Sequence, residues 1–93
     1  MIRSFRDKRT EAVAQGLSPK GFPFDLIRVS RRKLFMLENA VALADLRTPP
    51  ANRLEALKDE RAGQHSIRIN DQFRLCFRWV DGNAEDVEIT DYH

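Results

Sequence analysis

The clearest hydrophobic pattern in the chain is a strict alternation over residues 73–79. A period of two residues predicts a β-strand with one buried face, because successive side chains of a strand point to opposite sides of the sheet. The apolar side of this strand would carry Phe73, Leu75, Phe77 and Trp79, and the other side Arg74, Cys76 and Arg78.

Shorter alternating segments around this strand predict three more. They cover residues 53–57, 66–70 and 85–90. Residues 71–72 and 81–83 separate the last three strands, and the second of these segments, Asp-Gly-Asn, is typical of a hairpin turn. Three successive strands joined by tight turns predict an antiparallel meander.

The first half of the chain has the periodicity of amphipathic helices. A short helix over residues 8–15 is predicted from Asp7, a good N-cap, and from Gly16 just past the end. A longer helix is predicted over residues 24–43, with one apolar stripe and one basic side in solvent. The stripe holds Ile27, Leu34, Leu37 and Val41, and the basic side Arg28, Arg31, Arg32 and Lys33.

These elements predict an α+β fold, in which two N-terminal helices pack on a small, mainly antiparallel twisted sheet. Residues 2–5 add a further short strand. The helices would cover the apolar face of the sheet and leave the opposite face open. A chain of 93 residues is expected to form a single domain over residues 1–93.

Composition narrows the class of protein. The single cysteine, Cys76, excludes an internal disulfide framework and a zinc site built on three or four cysteines. Apolar runs are far shorter than the roughly 20 residues that cross a bilayer, and the N-terminus lacks the apolar core of a signal peptide. We expect a cytoplasmic location and no membrane association.

The charges are unevenly distributed. Residues 1–34 hold nine Lys and Arg against three Asp and Glu, whereas the rest of the chain is acidic. Arginine outnumbers lysine twelve to four. Because a guanidinium matches phosphate geometry and stacks on bases, this bias is compatible with nucleic-acid binding as well as with an ordinary solvated surface.

Three arginines are expected on the open face of the sheet. Arg68, Arg74 and Arg78 all lie opposite the apolar residues of their strands. Neighbouring guanidinium groups repel one another unless an anion lies between them, so two interpretations stay open. The arginines form a phosphate-binding surface, or they pair with carboxylates such as Glu55, Glu85 and Glu88.

The chain closes with Asp91, Tyr92 and His93, directly after a strand with buried alternate residues. RNA cleavage without a metal needs groups that take and give protons, and cations that stabilise the charged phosphorane. Tyr92 and His93 beside Arg74, with Lys58 or Arg61, would supply each type. No phosphate-binding glycine loop or hydrolase motif is present, and the two histidines, His65 and His93, lack a known metal-site spacing. No metal or other cofactor is expected.

Residues 49–79 and 86–93 resemble the HigB-type toxins of the RelE/ParE superfamily. The pattern that carries the resemblance is Ser-Ile-Arg-Ile-Asn-Asp-Gln-Phe-Arg-Leu-Cys-Phe over residues 66–77, with the closing Asp-Tyr-His. The resemblance implies a RelE-like toxin whose sheet cradles mRNA in the ribosomal A site and cleaves it. It also implies a HigA-like helix-turn-helix antitoxin, and contact with operator DNA only through that antitoxin.

The resemblance also implies roles for individual residues. Lys58 and Arg61 match a basic loop that contacts RNA phosphate, and Arg74 matches the arginine expected at the scissile phosphate. In the C-terminal segment, Tyr92 or His93 would transfer protons and Asp91 would orient a neighbour. Some members carry histidine where this chain has Glu55, so Glu55 is either a base or an ion-pair partner of Arg53 or Arg74, and His65 is a possible substitute.

Two other functions stay open at this point. The ParE branch shares the fold but inhibits gyrase without cutting RNA, so a non-catalytic inhibitor of a protein target is an alternative. A plain RNA-binding module is the other. The terminal Tyr-His favours cleavage.

Overall fold

The computed structural model describes residues 1–91. Two α-helices come first, α1 (Lys8–Ala14) and α2 (Phe24–Asn39). Four β-strands follow: β1 (Glu55–Ala56), β2 (His65–Arg68), β3 (Arg74–Val80) and β4 (Asn83–Thr90). The helices pack on one face of the sheet, which confirms the predicted α+β class. Short 3₁₀ turns connect the layers at Leu43–Arg47, Pro50–Asn52 and Asp59–Arg61.

Helix α1 begins and ends where its capping residues predict. The Asp7 carboxylate accepts a hydrogen bond from the Thr10 amide at 2.7 Å, which satisfies one of the unpaired N–H groups of the first turn. Gly16 follows the helix with a φ of 88°, in the left-handed region that glycine tolerates. The buried Thr10 hydroxyl then accepts from the Ile89 amide at 3.0 Å, which ties α1 to β4.

Helix α2 is four residues shorter than the predicted helix over residues 24–43. It ends at Asn39, and the chain is extended at Ala40. The Asp45 carboxylate accepts from the amides of Val41 and Ala42, both at 3.0 Å, and this begins a separate 3₁₀ turn instead of a further helical turn. Val41 is 83% exposed, so its predicted place in the core is wrong.

Lys33 is buried, which contradicts its predicted place in solvent. Its ammonium donates to the Asn52 side-chain carbonyl. The Asn52 amide in turn donates to the carbonyl of Leu46 at 3.1 Å. Burial, with the nearby charges of Arg32 and Arg68, lowers the pKa of Lys33. The contact holds the 3₁₀ connection against α2, and sequence periodicity carries no sign of it.

The sheet is fully antiparallel in the order β1-β2-β3-β4. The β3–β4 hairpin turns through Asp81 and Gly82, both with positive φ, as the Asp-Gly-Asn sequence predicts. The pairing shifts by one residue where Cys76 faces Glu88 but Arg78 faces Glu85. This shift is a β-bulge, and Asp86 within it has a φ of 52°.

The core lies between α2 and the inner face of the sheet. Side chains from every layer contribute to it, and the alternation in β3 and β4 is confirmed because Leu75, Phe77, Val87 and Ile89 are at most 1% exposed. The segment over residues 2–5 forms only two isolated bridges, Ile2 to Ala84 and Phe5 to Val87, both parallel. Strand β1 is also shorter than the predicted strand over residues 53–57. Arg53 has a φ of 46°, in the left-handed region, so the extended backbone of the strand begins only after it.

No helix in residues 1–91 has both the length and the apolar content that a bilayer crossing requires.

Candidate functional site

Two adjoining hollows lie on the sheet face that the helices leave open, and Glu55 lines both. The larger, about 570 Å³, is also lined by Lys58 and Arg61. The smaller, about 310 Å³, is lined by Arg68 and Arg74. The fold therefore gathers four of the basic residues singled out in the sequence around Glu55, with Asp59 in the larger hollow and Asp71 in the smaller. We call these two hollows the Glu55 site.

Strand register explains why these residues meet. Side chains directly opposite one another on paired strands point to the same side of the sheet. Glu55 faces Ser66, Ser66 faces Cys76, and Cys76 faces Glu88, which gives one row across all four strands. The neighbouring row pairs Arg68 with Arg74. Glu55 and the two arginines consequently lie on the same open face.

Neutral acceptors hold Arg74 in place. Its Nε donates to the Ser66 hydroxyl at 2.7 Å, and Nη2 donates to the Arg53 carbonyl at 2.6 Å and to the Ser66 carbonyl at 3.4 Å. Within residues 1–91 the guanidinium makes no ion pair, and its Nη1 makes no hydrogen bond. Arg74 is thus oriented by the protein while its positive charge is not neutralised there, which is the arrangement that an anionic ligand needs.

Arg68 is paired with an exposed acid. Its Nη2 donates to a carboxylate oxygen of Asp71, three residues along the chain, and the Asp71 side chain is fully solvent-exposed. An exposed ion pair of this kind contributes little to stability, because water screens the charges. A phosphate can therefore replace Asp71 at this guanidinium at little cost.

Arg61 is held from beneath by Glu88. Its Nη1 donates to the Glu88 carboxylate at 3.2 Å and to the Gln64 side-chain carbonyl at 3.1 Å. Arg6 lies 3.8 Å from the same carboxylate oxygen, and the Glu88 side chain is 17% exposed. Glu88 therefore sits between two guanidinium groups and orders the one that lines the Glu55 site.

Cys76 forms part of the floor of this face and is fully buried. Burial raises the pKa of its thiol to about 11, and the Glu88 carboxylate adds to the effect while Arg61 and Arg74 oppose it. The thiol is neutral at physiological pH and is inaccessible, so it fills space and does not act as a nucleophile.

Asp91 joins the edge of the site through Gln72. The Gln72 side-chain amide donates to the Asp91 carboxylate at 3.0 Å, and Gln72 itself lines the smaller hollow. Asp91 directly follows Thr90, which pairs with Arg74 across the sheet. The other two residues of the predicted C-terminal segment, Tyr92 and His93, lie outside the described residues.

Two residues that the sequence linked to this site lie elsewhere. Arg78 is at the far end of β3, where its Nε is 3.5 Å from the Asp86 carboxylate, and it lines neither hollow. His65 faces Ala56 and Phe77 in the register, which places it on the helix-covered side. Its ring stacks on Phe77 at 6.3 Å between centroids. His65 is therefore not placed to substitute for Glu55.

The sequence did not single out the residues that support the cations. Ser66 and the Arg53 carbonyl orient Arg74, and Gln64 helps to orient Arg61. The sequence predicts Glu88 as a partner for the strand arginines, whereas it pairs with Arg61 and Arg6. The alternation of β2 and β4 places Ser66 and Glu88 on the open face, but only the register shows which arginine each contacts.

The chain is similar in sequence to one protein named as a toxin and to another named as an endoribonuclease. It is 55% identical over 53 residues to toxin HigB-1 of Vibrio cholerae, a match that covers 57% of this chain and 56% of that one. It is 29% identical over 94 residues to endoribonuclease HigB of Proteus vulgaris, and that match covers all of both chains. An uncharacterised Haemophilus influenzae protein is 37% identical over 65 residues, 70% of this chain and 64% of that protein. The matches to the Vibrio and Haemophilus proteins thus span less than two thirds of those proteins.

Structural comparison supports the fold assignment. A chain of the YoeB-YefM complex from Staphylococcus aureus superposes with a TM-score of 0.61, at 16% identity, over 100% of this chain and 98% of that one. Likeness at this identity concerns the fold alone. The family model for the RelE-like toxin HigB of type II toxin–antitoxin systems matches residues 3–93. The chain belongs to this HigB-like family of RelE-like toxins.

Proposed function

We propose that this protein is an endoribonuclease toxin that cleaves mRNA at the Glu55 site and is neutralised by a HigA-like antitoxin. The observation that carries the proposal is the placement of Lys58, Arg61, Arg68 and Arg74 around Glu55 on the open sheet face. An extended polyanion with a reactive hydroxyl beside each phosphate fits such a surface. The name of the Proteus relative, endoribonuclease HigB, supports the same activity.

Cleavage by this chemistry begins with proton removal from a ribose 2′-hydroxyl. The freed oxygen attacks the adjacent phosphorus, and the bond to the 5′-oxygen breaks, which leaves a 2′,3′-cyclic phosphate and a 5′-hydroxyl. Glu55 would be the base, because it is the carboxylate that lines both hollows and it lies beside the cations that would hold the phosphate. General-base assistance contributes about 10²–10⁴-fold.

Arg74 would stabilise the negative charge that accumulates on the phosphorane. Its bonds to Ser66 and Arg53 fix the guanidinium before substrate binds, so no reorganisation is needed at the moment of reaction. Lys58, Arg61 and Arg68 would bind flanking phosphates and set the register of the RNA, as Arg78 would at the far end of β3. Tyr92 or His93 would protonate the departing 5′-oxygen, with Asp91 orienting a neighbour. No step requires a metal ion.

The setting of the reaction is part of the proposal. mRNA held in the ribosomal A site would be presented to the open sheet face, which is consistent with a shallow cationic surface and not a deep pocket. The antitoxin would be a helix-turn-helix protein that also carries the contact with operator DNA. Both partners would act in the cytoplasm.

Mapping of RNA ends in cells tests the activity and its dependence on translation. Two reporter mRNAs are compared after brief induction of the toxin, identical except that one lacks its start codon. Ribosome-dependent cleavage predicts new 5′ ends inside the coding region of the translated reporter only. The Arg74→Ala variant, expressed at the same level, is expected to produce none.

Each alternative outcome has a clear meaning. Equal cleavage of both reporters would contradict ribosome dependence and leave the nuclease assignment intact. DNA damage and growth arrest without new RNA ends would contradict the nuclease assignment and favour a ParE-like inhibitor. Salt-sensitive RNA binding with neither cleavage nor toxicity would reduce the protein to an RNA-binding module.

A further inference from the structure

An exposed stripe along α2 is not used by the Glu55 site. Phe24, Arg28, Arg31 and Phe35 are spaced four, three and four residues apart, which places them on one side of the helix. The two phenylalanines are 86% and 70% exposed, although large apolar side chains in a small protein are normally buried. They lie about 16 Å apart along the helix axis, at about 1.5 Å per residue.

Each phenylalanine borders its own hollow, and Arg31 lines both. One hollow, about 380 Å³, lies beside Phe35 and is lined by Ile2, Phe5 and Leu34. The other, about 580 Å³, lies beside Phe24 and Ile27. We call the stripe and its two hollows the α2 groove.

The centre of the α2 groove is positive. Arg31 Nη2 donates to the Leu17 carbonyl at 3.1 Å and Nε to the Val13 carbonyl at 3.4 Å, so neutral groups at the end of α1 fix its position. Arg28 lies one helical turn away, and neither arginine makes an ion pair within residues 1–91. The carboxylates that line the groove, Asp25 and Glu38, lie toward its two ends in the sequence.

We propose that the α2 groove is the docking surface for an acidic amphipathic helix of the antitoxin. The fitting segment carries two large apolar side chains about eleven residues apart, one for each hollow, with Asp or Glu between them to face Arg28 and Arg31. This is the helix-in-groove mode of recognition, with charge setting the register. The inference rests on the proposed antitoxin pairing and gives it a location and a chemistry.

A second copy of this chain is a poorer fit to the groove. In an antiparallel pairing of two α2 helices, the positive centre of one would lie against the positive centre of the other, and like charges across an interface disfavour association. The excess of basic residues in the first 34 positions further favours an acidic partner. Helix α2 and the open sheet face also belong to opposite layers of the fold, so a partner in the groove contacts different side chains from those of the Glu55 site.

A binding assay tests whether the partner docks in the α2 groove. The toxin is mixed with the purified product of the reading frame beside its gene, and the dissociation constant is measured. Phe24→Ala and Phe35→Ala are each expected to raise the dissociation constant by roughly 30-fold, which is the effect of losing a hot-spot aromatic residue. Val41→Ala is the matched control, since Val41 is equally exposed but lies outside the groove. Arg28→Glu is expected to slow association at low salt more than Arg32→Glu, which makes the same change off the stripe.

A growth assay in cells separates docking of the antitoxin from catalysis. The Phe24→Ala/Phe35→Ala double variant is expected to arrest growth and cut mRNA like wild type. Unlike wild type, it is not expected to be neutralised by the co-expressed partner. If the wild-type toxin binds the partner and all groove variants bind it equally well, the groove assignment is wrong and the antitoxin pairing stands. If wild type does not bind at all, both fail. Wild-type dimerisation that Phe24→Ala abolishes would assign the groove to a second copy and overturn the proposal.

Discussion

Replacement of Arg74 by alanine is the most direct test of the Glu55 site. The guanidinium is held by Ser66 and by the Arg53 carbonyl, and it carries no carboxylate partner within residues 1–91. The fixed charge of Arg74 should therefore contribute more to stabilising the transition state of cleavage than to stabilising the fold. Arg74→Ala should lower the rate of cleavage by about 10²–10³-fold, as removal of one preorganised donor to a developing anion does.

The cost to folding is expected to be smaller. The substitution removes two short hydrogen bonds to neutral acceptors, each worth about 0.5–1.5 kcal/mol. The sum, about 1–3 kcal/mol, lies below the 5–15 kcal/mol typical of a domain, so the variant should fold. Arg74→Lys keeps the charge without the two-point anchorage, and we expect its activity to lie between those of wild type and the alanine variant.

Single-turnover cleavage of an mRNA bound to ribosomes measures the effect on the chemical step. Arg3→Ala is the matched control, because it removes the same charge from the N-terminal segment, where the Arg3 amide bonds to the Ala84 carbonyl at the far end of β4. Urea unfolding of each variant shows that the fold is kept. The reasoning is refuted if folded Arg74→Ala cleaves within about tenfold of wild type, or if Arg3→Ala loses as much activity.

Three further predictions concern the rest of the molecule. Cys76 should resist a thiol reagent in the native protein at pH 8 and react only on unfolding, since it is buried and its pKa is raised to about 11; fast native labelling would contradict its place in the floor of the sheet. The pKa of Lys33 is lowered in the folded state, so wild-type stability should rise as pH rises toward the unfolded value of 10.5, and urea titrations of Lys33→Met should lack that rise. Backbone amides of Ala42 and Val41 lower the pKa of Asp45, so Asp45→Ala should destabilise the protein above pH 3.8, with the difference from wild type vanishing as pH falls through the lowered pKa; a difference that persists at pH 2 would show that the charge is not the cause.

Elements whose sequence signals are local were predicted well. The Asp7 cap, Gly16, the alternation in β3 and the Asp81-Gly82 turn each depend on residues close together in the chain, and each is confirmed. Long-range contacts changed the rest. Helix α2 stops early because Asp45 caps a competing turn, and Lys33 is buried because Asn52, nineteen residues away, offers it a carbonyl.

The candidate site also has a part that local sequence signals predict and a part that long-range contacts decide. Alternation alone assigns Arg68, Arg74 and Arg78 to one face of the sheet. The register and the bulge at Asp86 then decide that Arg68 and Arg74 share a hollow with Glu55, while Arg78 pairs with Asp86 at the other end. A shift of one residue in the pairing would have turned each of these side chains to the other face.

By itself the sequence determined the order of helices and strands and the apolar faces, because these depend on side-chain periodicity and local backbone preference. Only the tertiary structure decided which charges lie together: Glu55 beside four cations, and Glu88 with Arg61 and Arg6. The physical reason is that charge pairing depends on distances of a few ångströms between residues far apart in the chain. Strand register and helix packing set those distances, and both are properties of the whole fold.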